Sequence, residues 1–224
     1  MKYGAVLLVL GALVAAIAAG SAAAGRSQGE LVFVQTNESS GNRILVYEVG
    51  DDGHLNANGS FATGGSGGTA LPGTESDHLA SQGSLVYDEQ HKLLIAVNAG
   101  SDSVSTFRVT KDTLELAGVV PSGGDFPASV AVHRNIVYVL NAGNTGIVQG
   151  FRITGDELRP IEGSARSLGF ANTDPPDFLT SPGQVGFTPD GRQLIVTTKA
   201  SGSMIDVFGV EPNGMLSATP VRNV

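Results

Sequence analysis

The 224-residue chain contains no cysteine and no tryptophan. A fold without cysteine is held by packing alone, with no disulfide and no thiolate for metal or redox chemistry. Charge is sparse at 15% of residues, and bases are the minority: 13 Lys and Arg against 21 Asp and Glu, for a net charge of −8. That balance excludes the basic patch that nucleic acid or an anionic membrane surface requires. Aromatic residues make up only 6%, and no stretch carries the periodicity of a sustained amphipathic helix. The one long apolar run, Val6 to Ala19, is about 14 residues, short of the roughly 20 that a spanning helix needs. It follows Met1-Lys2 and precedes Ala22-Ala23-Ala24, the order of a secretory signal peptide cut near Ala24. The expectation is a leader over 1–24 and a mature protein over 25–224. Loss of Lys2 with the leader takes the net charge to −9. The protein is expected to be secreted, periplasmic or in the cell envelope, with no membrane contact after cleavage.

Glycine, by contrast, is abundant, with 31 residues, as many short strands joined by turns would require. Four segments repeat one pattern: Leu31 to Val49, Leu93 to Val109, Ile136 to Ile153 and Leu194 to Val210. Each has an apolar strand, a small polar turn and an alternating strand ending in an aromatic residue (Tyr47, Phe107, Phe151 or Phe208). The last three are preceded by a further strand, and all four are followed by one led by Leu55, Leu114, Leu158 or Leu216. The unit is therefore four antiparallel strands, a to d, recurring at about 61, 43 and 57 residues. Such a unit is the blade of a β-propeller. An immunoglobulin-like sandwich also has many short strands but does not repeat one four-strand unit. The predicted blades are 31–62, 82–120, 127–164 and 183–219, the first lacking its innermost strand. Asp190-Gly191 and Asn213-Gly214 are expected to form type I′ hairpin turns. With about four blades and an incomplete first one, the chain is expected to be part of a seven-bladed ring. Missing C-terminal blades, or a second copy of the chain, would close it.

Ser181 to Leu216 resembles the lactonase-type seven-bladed propellers, which include bacterial 6-phosphogluconolactonase and a fungal muconate-lactonizing enzyme. The matching residues are Pro182, Val185, Phe187, Pro189-Asp190-Gly191-Arg192 and Thr197, joined by the Asn-Ala-Gly turns at Asn98 and Asn141. The resemblance implies an all-β propeller and a hydrolase acting on a sugar-acid or related lactone, without a cofactor. Family enzymes often place a His just ahead of strand a, facing the channel; here those places hold Gln82, Ser129 and Gln184.

Loops joining d to a and b to c emerge on one face of a propeller, where a rigid scaffold presents them to ligands. His78, with Asp77, is the candidate base for activating water, because an imidazole titrates near neutrality. Arg166 or Lys199 could hold a carboxylate or phosphate, or stabilise an oxyanion. For Asp125, Asp174 and Asp177 the functional reading is hard-cation binding through oxygen ligands, against turn capping as their ordinary role, and Asp125, Asp177 and Lys199 are the candidate ligand-binding residues. No motif has metal-ligand spacing, so no metal is expected. His54, His91 and His133 fall at hairpin turns and are expected at the surface. Asn37, Asn98 and Asn141 recur at one blade position, which favours closing the turn over binding a ligand. Gly64 to Gly68 fits G-x-S-x-G formally but lacks the strand and helix of a nucleophile elbow, and reads as a flexible linker. The competing readings are a lactone hydrolase, a binding propeller that takes a glycan or other partner, and an inactive truncated product.

Overall fold

The computed structural model describes residues 30–70, 78–110, 113–200 and 202–224. The expected leader over 1–24, and Asp77, lie outside them. The described residues form four antiparallel sheets. The first has three strands, β1 (Leu31–Gln35), β2 (Arg43–Val49) and β3 (Leu55–Ala62). The second runs β4 (Leu85–Asp88), β5 (Leu93–Asn98), β6 (Ser103–Val109) and β7 (Leu114–Pro121). The third runs β8 (Pro127–His133), β9 (Ile136–Asn141), β10 (Ile147–Thr154) and β11 (Glu157–Pro160), with β12 (Arg166–Ser167) extending its outer edge against β10. The fourth runs β13 (Gln184–Phe187), β14 (Gln193–Thr197), β15 (Ile205–Gly209) and β16 (Val221–Asn223). Each sheet is a blade whose strands pair in chain order. Among the described residues the first blade has three strands, the three that the repeat assigned to it.

Burial explains the sequence pattern. All six residues of β5 are buried, because the second blade is covered on both faces. Leu93, Ile95 and Val97 pack toward the third blade, while Leu94 and Ala96 pack toward the first. A strand buried on both faces reads as a continuous apolar run. In β14 the burial alternates, with Leu194 and Val196 buried against the third blade and the residues between them only partly so. The repeated aromatics share one role. Phe107, Phe151 and Phe208 are fully buried, each in the layer shared with the preceding blade.

Four expectations need correction. Asp190-Gly191 and Asn213-Gly214 are not type I′ turns: of each pair only the glycine has positive φ, +69° and +88°, whereas I′ needs two such residues. The Gly191 amide instead donates to the Thr188 carbonyl at 2.8 Å and the Gly214 amide to the Glu211 carbonyl at 2.8 Å, closing longer turns. Leu216 does not lead the outer strand of the fourth blade. It makes an isolated bridge with Val210, and β16 forms the edge. The third and fourth blades therefore extend past the expected 164 and 219 to Ser167 and Asn223. Finally, Gly64 to Gly68 is a packed crossing, not a flexible linker. The Gly67 amide donates to the Glu38 carbonyl at 2.8 Å, and a Cβ at Gly67 would lie 2.1 Å from the Asn37 carbonyl oxygen.

Candidate functional site

The loops that join d to a and b to c meet on one face. Asparagine anchors them. Asn98 is fully buried; its amide donates to Ser103 Oγ at 3.2 Å and Ser105 Oγ at 2.8 Å, and its oxygen accepts from Asn42 Nδ2 of the first blade at 3.0 Å. Asn141 is also fully buried and donates to the carbonyls of Ser122 and Ile147, both at 3.3 Å. Asn37, with φ of 53°, donates from Nδ2 to the Gly68 carbonyl at 2.7 Å. All three join loop to loop and are structural, as their repetition indicated.

Three carboxylates on neighbouring loops, Asp102, Asp125 and Asp174, lie close enough for the first two to act electrostatically on the third. Asp102, with φ of 49°, accepts the Phe126 amide at 2.8 Å. Asp125 accepts Asn144 Nδ2 at 2.7 Å, and its carbonyl accepts the Gly143 amide at 2.9 Å. Asp174 lies on the loop leading to the fourth blade, which is tied to Asn144 through Thr173 and Asn172. Partial burial raises the pKa of Asp174 above the ordinary carboxylate value, and the charges of Asp102 and Asp125 raise it further. Among the described residues no group of three or more His, Cys, Asp and Glu side chains could hold a metal ion.

Lys199 gathers three loops. Its Nζ donates to the carbonyls of Ala80 at 2.6 Å and Phe178 at 2.9 Å, and sits 5.1 Å from the Phe178 ring centroid. Asp177 is a turn cap: its Oδ1 accepts the amides of Leu179 at 2.9 Å and Thr180 at 3.2 Å. His78 is exposed two residues before Ala80, and its carbonyl accepts the Ala70 amide at 2.7 Å. At the axis, the Gln82 amide donates to the Gly183 carbonyl at 2.9 Å, so the approaches to β4 and β13 touch across the third blade. Gln82 and Gln184 are exposed, whereas Ser129 is fully buried and accepts the Val185 amide at 3.2 Å.

Arg166 is elsewhere. Its guanidinium donates to the carbonyls of Gly163, Ala165, Leu216 and Ser217 at 2.7–3.0 Å, fastening the outer edge of the third blade to the fourth. The structure therefore brings Lys199, Asp177 and the His78 loop together, sets Asp125 with Asp102 and Asp174, and leaves Arg166 out. The sequence reading missed Asp102 and Asn144. A usable signal existed, since each follows an Asn-Ala-Gly turn at a left-handed position that Asp and Asn tolerate.

No protein-family model and no curated protein matches the chain. Solved structures do. The periplasmic gluconolactonase of Pseudomonas aeruginosa superposes with a TM-score of 0.60 at 20% identity, over 88% of this chain and 55% of that one. A 6-phosphogluconolactonase candidate from Bacteroides fragilis gives 0.55 at 19% identity, over 81% and 51%. The fold is that of the lactonase-type propellers. The chain spans about half the length of these two structures, 51% and 55%. In this propeller no helix among the described residues is long and apolar enough to cross a membrane.

Proposed function

We propose that the protein is an exported lactonase-like propeller that hydrolyses a sugar-acid or related lactone on the face bearing Asp125, Asp174 and His78. The supporting observation is its likeness to a periplasmic gluconolactonase, which shares the fold over 88% of this chain. In the reaction, water adds to the lactone carbonyl, the ring C–O bond breaks, and the ring oxygen takes a proton to give the hydroxy acid. That chemistry needs a base close to the water. Asp174 suits the role, because a carboxylate whose pKa is raised by burial and by neighbouring charge is a stronger base than an ordinary one. His78 is the second candidate. The Asn144–Asp125 hydrogen bond fixes the wall beside Asp174.

One observation favours a binding propeller without chemistry: Lys199 and Arg166, the expected cationic groups, donate to main-chain carbonyls. Hydrolysis of glucono-δ-lactone by the full chain, followed by pH-stat, separates the two readings. Under the enzymatic reading the chain hydrolyses it, and Asp174→Asn lowers kcat/KM by about 100-fold or more, the usual contribution of a positioned base. If His78→Gln produces that loss instead, His78 is the base. No hydrolysis by the wild-type chain rejects the enzymatic reading.

A further inference from the structure

The opposite face carries a concavity of about 310 Å³, within the lower range of small-molecule sites. Its walls are the a–b turns of the third and fourth blades and the residues that follow β15. The floor is apolar: Ile136, Phe187 and Val210 line it and pack against the buried layer between these blades. His133 stands against the Phe187 ring, with centroids 5.7 Å apart. Gly191 makes that placement possible, since a Cβ there would lie 2.2 Å from the imidazole. The glycine of Pro189-Asp190-Gly191-Arg192 thus serves the neighbouring blade as well as its own turn.

The polar rim has unused donors. His91, at the same turn of the second blade, closes onto Asp88 at 2.5 Å. The His133 imidazole makes no hydrogen bond or ion pair with any described residue, nor does the exposed guanidinium of Arg134. Arg192 reaches Asp190 only at 3.8 Å with 85% of its side chain exposed. Asp190 is occupied within its own turn, accepting Thr188 Oγ1 at 2.7 Å and the Arg192 amide at 3.1 Å. Glu211 is the one rim acid without an ion pair among the described residues. A concavity beside β7 differs: Arg108 there is already bonded to Glu115 and Asp156, leaving no unpaired cation.

We infer that the concavity between the a–b turns of the third and fourth blades binds a small monocarboxylate with an apolar ring or branched body. The carboxylate meets Arg134 and Arg192 at the rim, and the body covers Phe187, Ile136 and Val210. Glu211 repels a second negative charge and so disfavours phosphate esters and dicarboxylates.

The test uses benzoate as probe, with neutral benzamide as its isostere, on the full chain. Binding is followed by calorimetry and by the NMR shifts of the His133 ring. Benzoate is expected to bind and move the His133 resonances, with benzamide about tenfold weaker or more, the equivalent of one charge-assisted hydrogen bond. Arg134→Gln and Arg192→Gln are each expected to weaken benzoate by about tenfold; both side chains are exposed, so the fold, checked by circular dichroism, survives. Glu211→Gln is expected to admit phthalate, a dianion. The inference is overturned if benzoate fails to bind, if benzamide binds equally well, or if the double arginine variant retains wild-type affinity.

Discussion

The Tyr138 hydroxyl donates to the carbonyl of Gly214 at 2.6 Å, joining the second strand of the third blade to a turn of the fourth. Gly150 makes room for it, since a Cβ there would lie 2.8 Å from the ring. Tyr138 is fully buried. Replacing it with Phe removes a buried bond and leaves an acceptor unpaired, and is expected to cost about 1–3 kcal/mol in urea denaturation. Burial pushes the phenol up to about 12 from an ordinary 10. The native state then holds the proton more tightly than the unfolded chain does. The stabilisation is fully present below pH 10 and is lost as pH rises from 10 toward 12. Tyr138→Phe should lack this alkaline limb.

Much of this interface was legible in the sequence. Strand alternation and the recurring aromatics Phe107, Phe151 and Phe208 follow from period-2 burial, repeated blade by blade. Leu216 misled because it is buried and apolar, while the true edge strand, Val221–Asn223, is exposed along its whole length. Such a strand is defined by backbone pairing and carries no burial pattern. The packed state of Gly64 to Gly68 was equally hidden, because its neighbours Asn37, Asn98 and Phe126 come from other loops. The carboxylate group failed for the same reason: Asp102, Asp125 and Asp174 are far apart in sequence, and only the blade geometry joins them.

The glycine crossing gives a contrast between two substitutions. At Gly67 an added Cβ meets main-chain atoms of Asn37, which cannot move without shifting the loop. Gly67→Ala is expected to destabilise by about 1–3 kcal/mol. Gly186, inside β13, has nothing within 4 Å of its virtual Cβ and no positive φ. Gly186→Ala is expected to be neutral or to stabilise by up to about 1 kcal/mol. A flexible linker would tolerate Gly67→Ala, so thermal melts, with Gly186→Ala as the control, distinguish the two accounts.

Asp206 lies in β15 with no exposed surface, and neither carboxylate oxygen has a hydrogen-bond partner. Arg222 is its ion-pair partner, at 3.4 Å. Burial raises the Asp206 pKa, and Arg222 offsets part of that rise. A raised acid pKa means that the native state favours the protonated form. The cost of the buried charge is present at neutral pH and is relieved as pH falls through the native pKa. Asp206→Asn should therefore match or exceed wild-type stability at pH 7 and lose this pH dependence. Arg222→Gln should destabilise by about 1–3 kcal/mol, because it leaves a buried carboxylate without its counter-charge. Urea denaturation at neutral and acidic pH measures both.

The Asp174 pKa should respond to its neighbours in a defined direction. The charges of Asp125 and Asp102 each raise it, beyond the effect of burial. Asp125→Asn and Asp102→Asn should each lower it, which carbonyl-carbon NMR titration of Asp174 measures without any substrate. If Asp174 is the base in lactone hydrolysis, the acid limb of the pH–rate profile should move to lower pH in the same variants, because the carboxylate then stays ionised further into acid. A shifted titration with an unmoved rate profile would separate the electrostatics of the loop from its chemistry and remove Asp174 as the base.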